Sequence, residues 1–320
     1  MPVKLLLGFL VSMIMVLIVM PAFIKFLKQQ SLRQSVSEYA LPEDQKKAGT
    51  PIMGGILFII VPVIVTLLAS REARGDLDIW IVILAFVGYG IIGFIDDYLI
   101  AIKKNNDGLK ASHKLGLQIL LAVVFFFLYR SHAKLEVIIP FTGHVIHLGW
   151  WYFLLILFMF AGASNAVNLT DGMDGLAAGV SFIAFIPYLV FAFLQGRDGL
   201  QMFIVTLMGA LAGYLYYNKK PAKVFMGDSG ALALGGALAA CAMVTKTELL
   251  LILIAGVPVL ETMSVILQVL AVKTIHRRIF SYTPIHYAFR LRGMAEQNIV
   301  RMFWIAEAVM AALGLWVGLH

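Results

Sequence analysis

Ten apolar runs, each roughly long enough to form a twenty-residue helix, follow one another along this 320-residue chain with short polar stretches between them. An α-helix rises about 1.5 Å per residue, so runs of ~20 residues match the thickness of a bilayer's hydrocarbon core. The chain is 61% hydrophobic and only 13% charged, with a mean hydropathy of +0.91, more apolar surface than a water-soluble fold can hide. Spans are expected at about 4–26, 53–70, 79–96, 115–130, 149–165, 175–195, 199–217, 229–245, 248–272 and 298–318. No stretch alternates as a barrel strand would. The expected fold class is therefore an all-α integral membrane protein with about ten transmembrane helices. Residues 1–320 form a single polytopic domain whose active site is built from cytoplasmic loops and helix ends. The first run, Leu5 to Met20, has no small-residue cleavage site and reads as a retained helix. The one cysteine, Cys241, lies inside an apolar run, so an internal disulfide is excluded.

Orientation follows from the basic residues. The loops after spans one, three, five, seven and nine, with their flanks, hold seventeen of the 25 Lys and Arg, which puts these loops in the cytoplasm and both termini outside. Loop five, Ala163 to Gly175, carries no cation and takes its side from its neighbours. The net charge of +7 suits anionic lipid or phosphorylated substrates. There is no internal repeat, and the small-residue stretch Gly230 to Ala240 reads as a face for close helix packing in lipid.

On this topology, five aspartates gather at one membrane boundary: Asp96, Asp97, Asp171, Asp174 and Asp228. Carboxylates are costly there and call for a cation or a reaction. Asp96-Asp97 closes the third span, where the helix dipole already concentrates negative charge. A solvated pair at headgroup level is the plain alternative. Asp171 and Asp174, three apart, share a face if the helix begins there, and either one has the chemistry to cap span six. Asp228, in Phe225-Met226-Gly227-Asp228-Ser229-Gly230, stands equally well as a cap of span eight or as a ligand. Phe225 has the alternatives of stacking on a planar base or sitting at the membrane interface.

Lys46, Lys47, Lys103, Lys104, Lys110, Lys114, Lys219, Lys220 and Lys223 fall on the same side. Most belong there by the charge rule, and a few suffice to hold phosphates as point charges. Acids beside lysines suit Mg²⁺ with a diphosphate, since the carboxylates hold the metal and the metal bridges phosphate oxygens. His286 on loop nine is an incidental loop residue or a phosphate or proton contact. Glu261, beside the Gly256-Val257-Pro258 break, is an intramembrane carboxylate with a functional or a helix-to-helix reading. No P-loop, dinucleotide fingerprint or His-Glu-x-x-His is present.

Five segments in order carry a resemblance over nearly the whole chain. They are Lys46 to Gly55 (KKAGTPIMGG), Gly93 to Tyr98 (GFIDDY), Asn165 to Ala177 (NAVNLTDGMDGLA), Tyr217-Asn218 with Phe225 to Gly230 (FMGDSG), and Thr283 to His286 (TPIH). The sequence resembles the phospho-N-acetylmuramoyl-pentapeptide transferases of the polyprenyl-phosphate N-acetylhexosamine-1-phosphate transferase superfamily. The resemblance implies ten helices with both ends outside the bacterial cell membrane. It also implies Mg²⁺-dependent transfer of phospho-MurNAc-pentapeptide from UDP-MurNAc-pentapeptide to undecaprenyl phosphate, giving lipid I and UMP. By motif match, Asp228 is the magnesium ligand and Asp96 and Asp97 the catalytic pair. Asn168, Asp171 and His286 complete the cleft. Asp174, Asn218 and Phe225 contact uridine, and Lys47, Lys104 (or Lys103) and Lys114 contact phosphate. The same resemblance implies a lipid groove along broken span nine and a homodimer, with membrane lipid around it and no nucleic-acid partner.

The family's three consecutive histidines are here His286-Tyr287-Ala288, so only the first position matches. The expected chemistry is in-line attack of a lipid phosphate oxygen on the donor's β-phosphate. A phosphate monoester is largely dianionic at neutral pH, with its second pKa near ~6, so a general base adds little. A two-step route through a phospho-aspartate stays open. Rival readings are a relative using UDP-N-acetylhexosamine, a cation transporter, and an inactive relative that binds lipid-linked sugars.

Overall fold

The computed structural model describes residues 2–30, 49–103 and 108–320. The chain runs through α1 (Pro2–Gln29), α2 (Gly55–Ala69), the short α3 (Arg71–Gly75), α4 (Leu77–Lys103) and α5 (Ala111–Arg130). A two-stranded antiparallel hairpin follows, β1 (Glu136–Ile138) and β2 (Val145–His147), pairing Val137 with Ile146. Then come α6 (Tyr152–Thr170), α7 (Leu176–Leu194), α8 (Asp198–Asn218), α9 (Gly227–Val244), α10 (Leu251–Ile254), α11 (Gly256–Ile275), α12 (Ile285–Leu291) and α13 (Glu296–Leu319). The all-α, multi-pass expectation holds. The hairpin is an addition that the sequence reading did not contain.

Among the described residues, nine helices are long and apolar enough to cross a membrane. The expected second span falls short, because α2 has 15 residues, about 22 Å at 1.5 Å per residue. Its start is delayed by an extended segment paired with the chain before α9. Phe225 donates its N–H to the Pro51 carbonyl at 2.9 Å, and Gly54 and Gly55 donate to the Phe225 and Met226 carbonyls at 2.8 and 3.1 Å. Its end is set by Ser70, whose hydroxyl accepts the Ala73 N–H at 3.0 Å and so starts α3.

The expected ninth span is two helices. A 3₁₀ turn at Glu248–Leu250 leads into α10, the helix breaks at Ala255, and α11 restarts at Gly256. Pro258 brings no N–H to the new first turn. The Val257 N–H donates to Glu307 Oε2 of α13 at 2.8 Å, and Glu307 is fully buried. The rule that singles out Glu261 in the sequence applies equally to Glu307, which the sequence reading passed over. Glu307→Ala is expected to lower stability by about 1–3 kcal/mol, the usual consequence of orphaning a buried donor. Glu307→Gln should lose much less, because its amide oxygen still accepts. Thermal unfolding in detergent reads the difference.

Helix α9 is the axis of the bundle. Every residue from Ser229 to Val244 is buried. It packs most heavily against α4 and α6, while α8 gathers α1, α2 and α7. Its Gly and Ala side chains let neighbouring backbones come close, as the small-residue stretch predicts. Helices α1, α5 and α13 expose most of their apolar surface, which suits a lipid boundary.

The polar residues separate to the two ends of the bundle. One end carries the hairpin, with Asp78 bonded to Arg197 (2.5 Å) and His132 (2.7 Å), and Tyr152 donating to Glu248 (2.5 Å). Both ends of the described chain lie there. Lys4 shares a recess with Ser70, Glu72 and Asp198, and Trp316 packs on Phe141 of the hairpin. The opposite end holds Asp96, Asp97, Asp171, Asp174 and Asp228.

Candidate active site

Asp96 and Asp97 lie inside α4, which continues to Lys103, so they do not close a span as expected. They are also not a solvated pair, being only 6% and 3% exposed. Asp97 is held by the start of another helix. Its Oδ1 accepts the Asp228 N–H and its Oδ2 the Ser229 N–H, both at 3.0 Å. The carboxylate thus sits on the positive end of the α9 dipole and satisfies two amides that have no partner within that helix. Asp97 thus caps a helix across the bundle rather than its own.

Gly227 makes that approach possible. It has φ +71°, and a Cβ there would lie 2.4 Å from Asp97 Oδ2. Only glycine combines that backbone with room for the carboxylate.

Asp228 is in the first turn of α9, and the cap position is Met226, so Asp228 is not the cap of its own helix. Its carboxylate pairs with Lys114 from the first turn of α5, and Lys114 Nζ also lies 4.0 Å from Asp96 Oδ2. Asp96 Oδ1 accepts the Leu109 N–H at 2.8 Å, tying the segment before α5 to α4. Three helices therefore meet in one cluster of Asp96, Asp97, Asp228 and Lys114. No group of three or more His, Cys, Asp or Glu able to hold a metal is present among the described residues. Asp96 and Asp228 nonetheless already gather one cation, the Lys114 ammonium. One or two carboxylates, with substrate phosphate oxygens and water making up the rest, are what Mg²⁺ ordinarily takes. The donor set fits that ion.

Asn168 lies in the last turn of α6, and Asp171 is the residue that ends this helix, donating its N–H to the Asn168 carbonyl at 3.1 Å. The helical start expected at Asp171 is not there, and neither aspartate caps α7. That position belongs to Gly175. Asp171 and Asp174 stand in the turn between two helices. Gln118 of α5 bonds to Ser164 (3.3 Å) and Asn165 (3.4 Å) of α6, and these helices run in opposite directions. The register puts Lys114 and Asn168, each about one turn further on, at the same end.

Asp174 is buried. Its Oδ2 accepts the Ala222 N–H, and its own N–H donates to Glu296 Oε1, both at 3.0 Å. Asn218 accepts from Gly175 N–H and donates to the Val224 carbonyl, again at 3.0 Å. These bonds join the Asp171–Gly175 turn to the loop after α8, in which Phe225 is half-buried. Glu296, which also pairs with Lys220 at 2.8 Å, and Trp304, whose indole N–H donates to the Gly175 carbonyl at 3.2 Å, hold this turn from α13. Neither was singled out in the sequence. Glu296 stood at the entry to the last span, on the same side as the aspartates, which was the available signal. Lys47 and Lys104 lie outside the described residues. Lys103 ends α4 and is exposed.

His286, on α12, is fully buried. Its Nδ1 lies 3.1 Å from Glu261 Oε1 of α11, and its ring lies against Gly172. Tyr287, where the resembled family has a second histidine, donates its hydroxyl to the Gly172 carbonyl at 3.3 Å.

Comparison with known proteins converges with this geometry. The family model for glycosyl transferase family 4 matches residues 79–246, from α4 to just past α9. The chain is 44% identical over 313 residues to the phospho-N-acetylmuramoyl-pentapeptide-transferase of Geobacillus sp. (strain WCH70), covering 97% of each chain. It is 44% identical over 315 residues to the protein of that name from Bacillus subtilis (strain 168), covering 98% of this chain and 96% of the relative. With that of Geobacillus kaustophilus (strain HTA426) it shares 45% over 309 residues, covering 96% and 95%. Near end-to-end identity at this level, on a bundle whose acids gather where the matched helices meet, makes this chain a member of the phospho-N-acetylmuramoyl-pentapeptide transferases of glycosyl transferase family 4.

Proposed function

We propose that this protein transfers phospho-MurNAc-pentapeptide from UDP-MurNAc-pentapeptide to undecaprenyl phosphate, forming lipid I and releasing UMP in peptidoglycan biosynthesis. The observation that carries the reading is the identity to the transferases over 97% of the chain. The cluster of Asp96, Asp97, Asp228 and Lys114 supplies chemistry of the right kind. The 320 residues act as one polytopic domain in the bacterial cell membrane. The acidic end faces the cytoplasm and the hairpin end, with both termini, faces outward. The excess of Lys and Arg in the loops at the acidic end supports that orientation. A homodimer is the assembly expected of the family.

Asp228, with Asp96 beside it, would hold Mg²⁺. Bound there, the ion would supply charge neutralisation for the diphosphate. Asp97 fixes the first turn of α9 and with it the direction of the Asp228 carboxylate. Lys114 exchanges its carboxylate partners for phosphate oxygens when substrate enters, and Lys47 and Lys104 add positive charge along the same path. Asp174 and Asn218 hold the uridine side of the cleft, with Phe225 stacked on the base. Asn168 and Asp171 line the cleft at the end of α6. His286 acts from behind the Asp171 turn. The lipid phosphate is already dianionic near neutral pH, so its oxygen attacks without a protein base. The lipid tail lies along α11, whose outward face is lined by exposed Leu260, Leu267 and Leu270.

The test is UMP release from UDP-MurNAc-pentapeptide and undecaprenyl phosphate by purified protein. Release with Mg²⁺ present and its loss on chelation with EDTA are the expected results. Turnover with UDP-N-acetylglucosamine but not with the pentapeptide donor would reassign the substrate.

A further inference from the structure

Glu261 and His286 are two ionisable side chains with no solvent exposure, brought together from α11 and α12. Nδ1 and Oε1 are 3.1 Å apart, an ion-pair distance, and none of the polar side-chain atoms of either residue has a hydrogen-bond partner among the described residues. Burying two ionisable groups is unfavourable unless they offset each other, and each is the only ionisable group at ion-pair distance from the other among the described residues, so their approach ties α12 to α11. The same face of α11 makes a second tie two turns on. Gln268 Oε1 accepts the Ile279 and Phe280 N–H groups at 3.0 Å, and its amide donates to the Phe280 carbonyl at 3.1 Å. The loop is therefore clamped at both ends, by Gln268 where it leaves α11 and by Glu261 where α12 begins.

The far side of the imidazole meets the acid turn. A Cβ on Gly172 would lie 2.2 Å from His286 Nε2, so the ring occupies the space a side chain would take. Tyr287 holds the Gly172 carbonyl from the same helix. Gly172 is the residue between Asp171 and Met173 in the turn that also carries Asp174. A shift of the His286 ring toward Gly172 would therefore press on this turn.

We propose that Glu261 is a positioning residue: through His286 it sets the Asp171–Asp174 turn, so that a carboxylate on the lipid-lined broken helix controls the geometry of the acidic cleft without touching substrate. This rests on the reaction proposed above. It makes the turn sensitive to how α11 lies, and α11 is the helix against which the lipid acceptor would rest.

The test uses Glu261→Leu, which is close in size, and Glu261→Gln, which keeps a hydrogen-bonding oxygen. The leucine variant is expected to lose about tenfold or more in kcat with both KM values within about twofold, as when an interaction that matters only in the transition state is removed. The glutamine variant should recover most of that loss. In a His286→Asn background, Glu261→Leu should add almost nothing, because the two residues act as one unit. Unchanged kcat in Glu261→Leu, or an undiminished further loss in the His286→Asn background, overturns the proposal. Should the leucine variant not fold, ¹⁵N NMR of histidine-labelled Glu261→Gln decides. The His286 imidazole resonance, assigned by its loss in His286→Asn, must shift from its wild-type position, and an unmoved resonance overturns the proposal. Wild-type protein that releases no UMP would instead sink the reaction assignment, while the resonance would still report on the pair.

Discussion

Asp228→Ala is expected to reduce UMP release by at least about 10³-fold, more than any other single substitution, since on the proposed mechanism a metal-holding carboxylate and a transition-state charge stabiliser are lost together. In the structure Asp228 is the partner of Lys114, which also approaches Asp96. Without it, the lysine has a single weak carboxylate contact, and a divalent ion is left with one protein ligand instead of two. Raising Mg²⁺ should therefore not restore activity. The fold should survive, because Asp228 caps nothing and its backbone N–H still donates to Asp97. Measurement of kcat across an Mg²⁺ titration, beside thermal unfolding in the same detergent, separates lost chemistry from lost structure. Activity within tenfold of wild type in a folded Asp228→Ala would remove this residue from the metal site and the proposed mechanism with it.

Asp97→Asn should lower kcat by about 10²-fold or more while substrate binding changes little. The carboxylate presents an oxygen to each of two amides, those of Asp228 and Ser229. An asparagine presents one oxygen and one NH₂, so one α9 amide would face another donor and lose its partner. Loss of the negative charge also removes the favourable interaction with the helix dipole. Both effects act on the first turn of α9, and that turn aims Asp228. The damage should therefore appear in turnover and in the Mg²⁺ dependence, with both KM values nearly unchanged. Near-normal turnover in Asp97→Asn would show that the aim of Asp228 does not depend on Asp97.

Most of the spans were legible because lipid imposes a rule that each segment obeys by itself. A run of about twenty apolar residues must be a helix, and its flanking lysines choose a side. Where that rule was insufficient, the structure departed from it. Segment 53–70 was apolar enough for a span, yet its beginning was taken up by hydrogen bonds to Phe225 and Met226, 171 residues later in the chain. Segment 248–272 read as one span broken at Gly256-Val257-Pro258, and the structure breaks it there, at Ala255–Gly256, but the partner of the freed amide was not legible. The break is held open by Glu307, on a different helix. The candidate site was legible as a set of residue types at one boundary, but their partners were not. Asp97 looked unfavourable at the end of its own helix because the compensating helix start comes from α9.

What the sequence determined alone is the membrane fold, the family, and the chemistry available at one end of the bundle, since each depends on residue type and local order. What only the tertiary structure decided is which groups satisfy one another: Asp97 with the α9 amides, Lys114 between two carboxylates, and Glu261 with His286 against Gly172. The reason is physical. A buried polar group requires a partner but does not specify where in the chain that partner lies, and only the packing of the helices brings the two within about 3 Å.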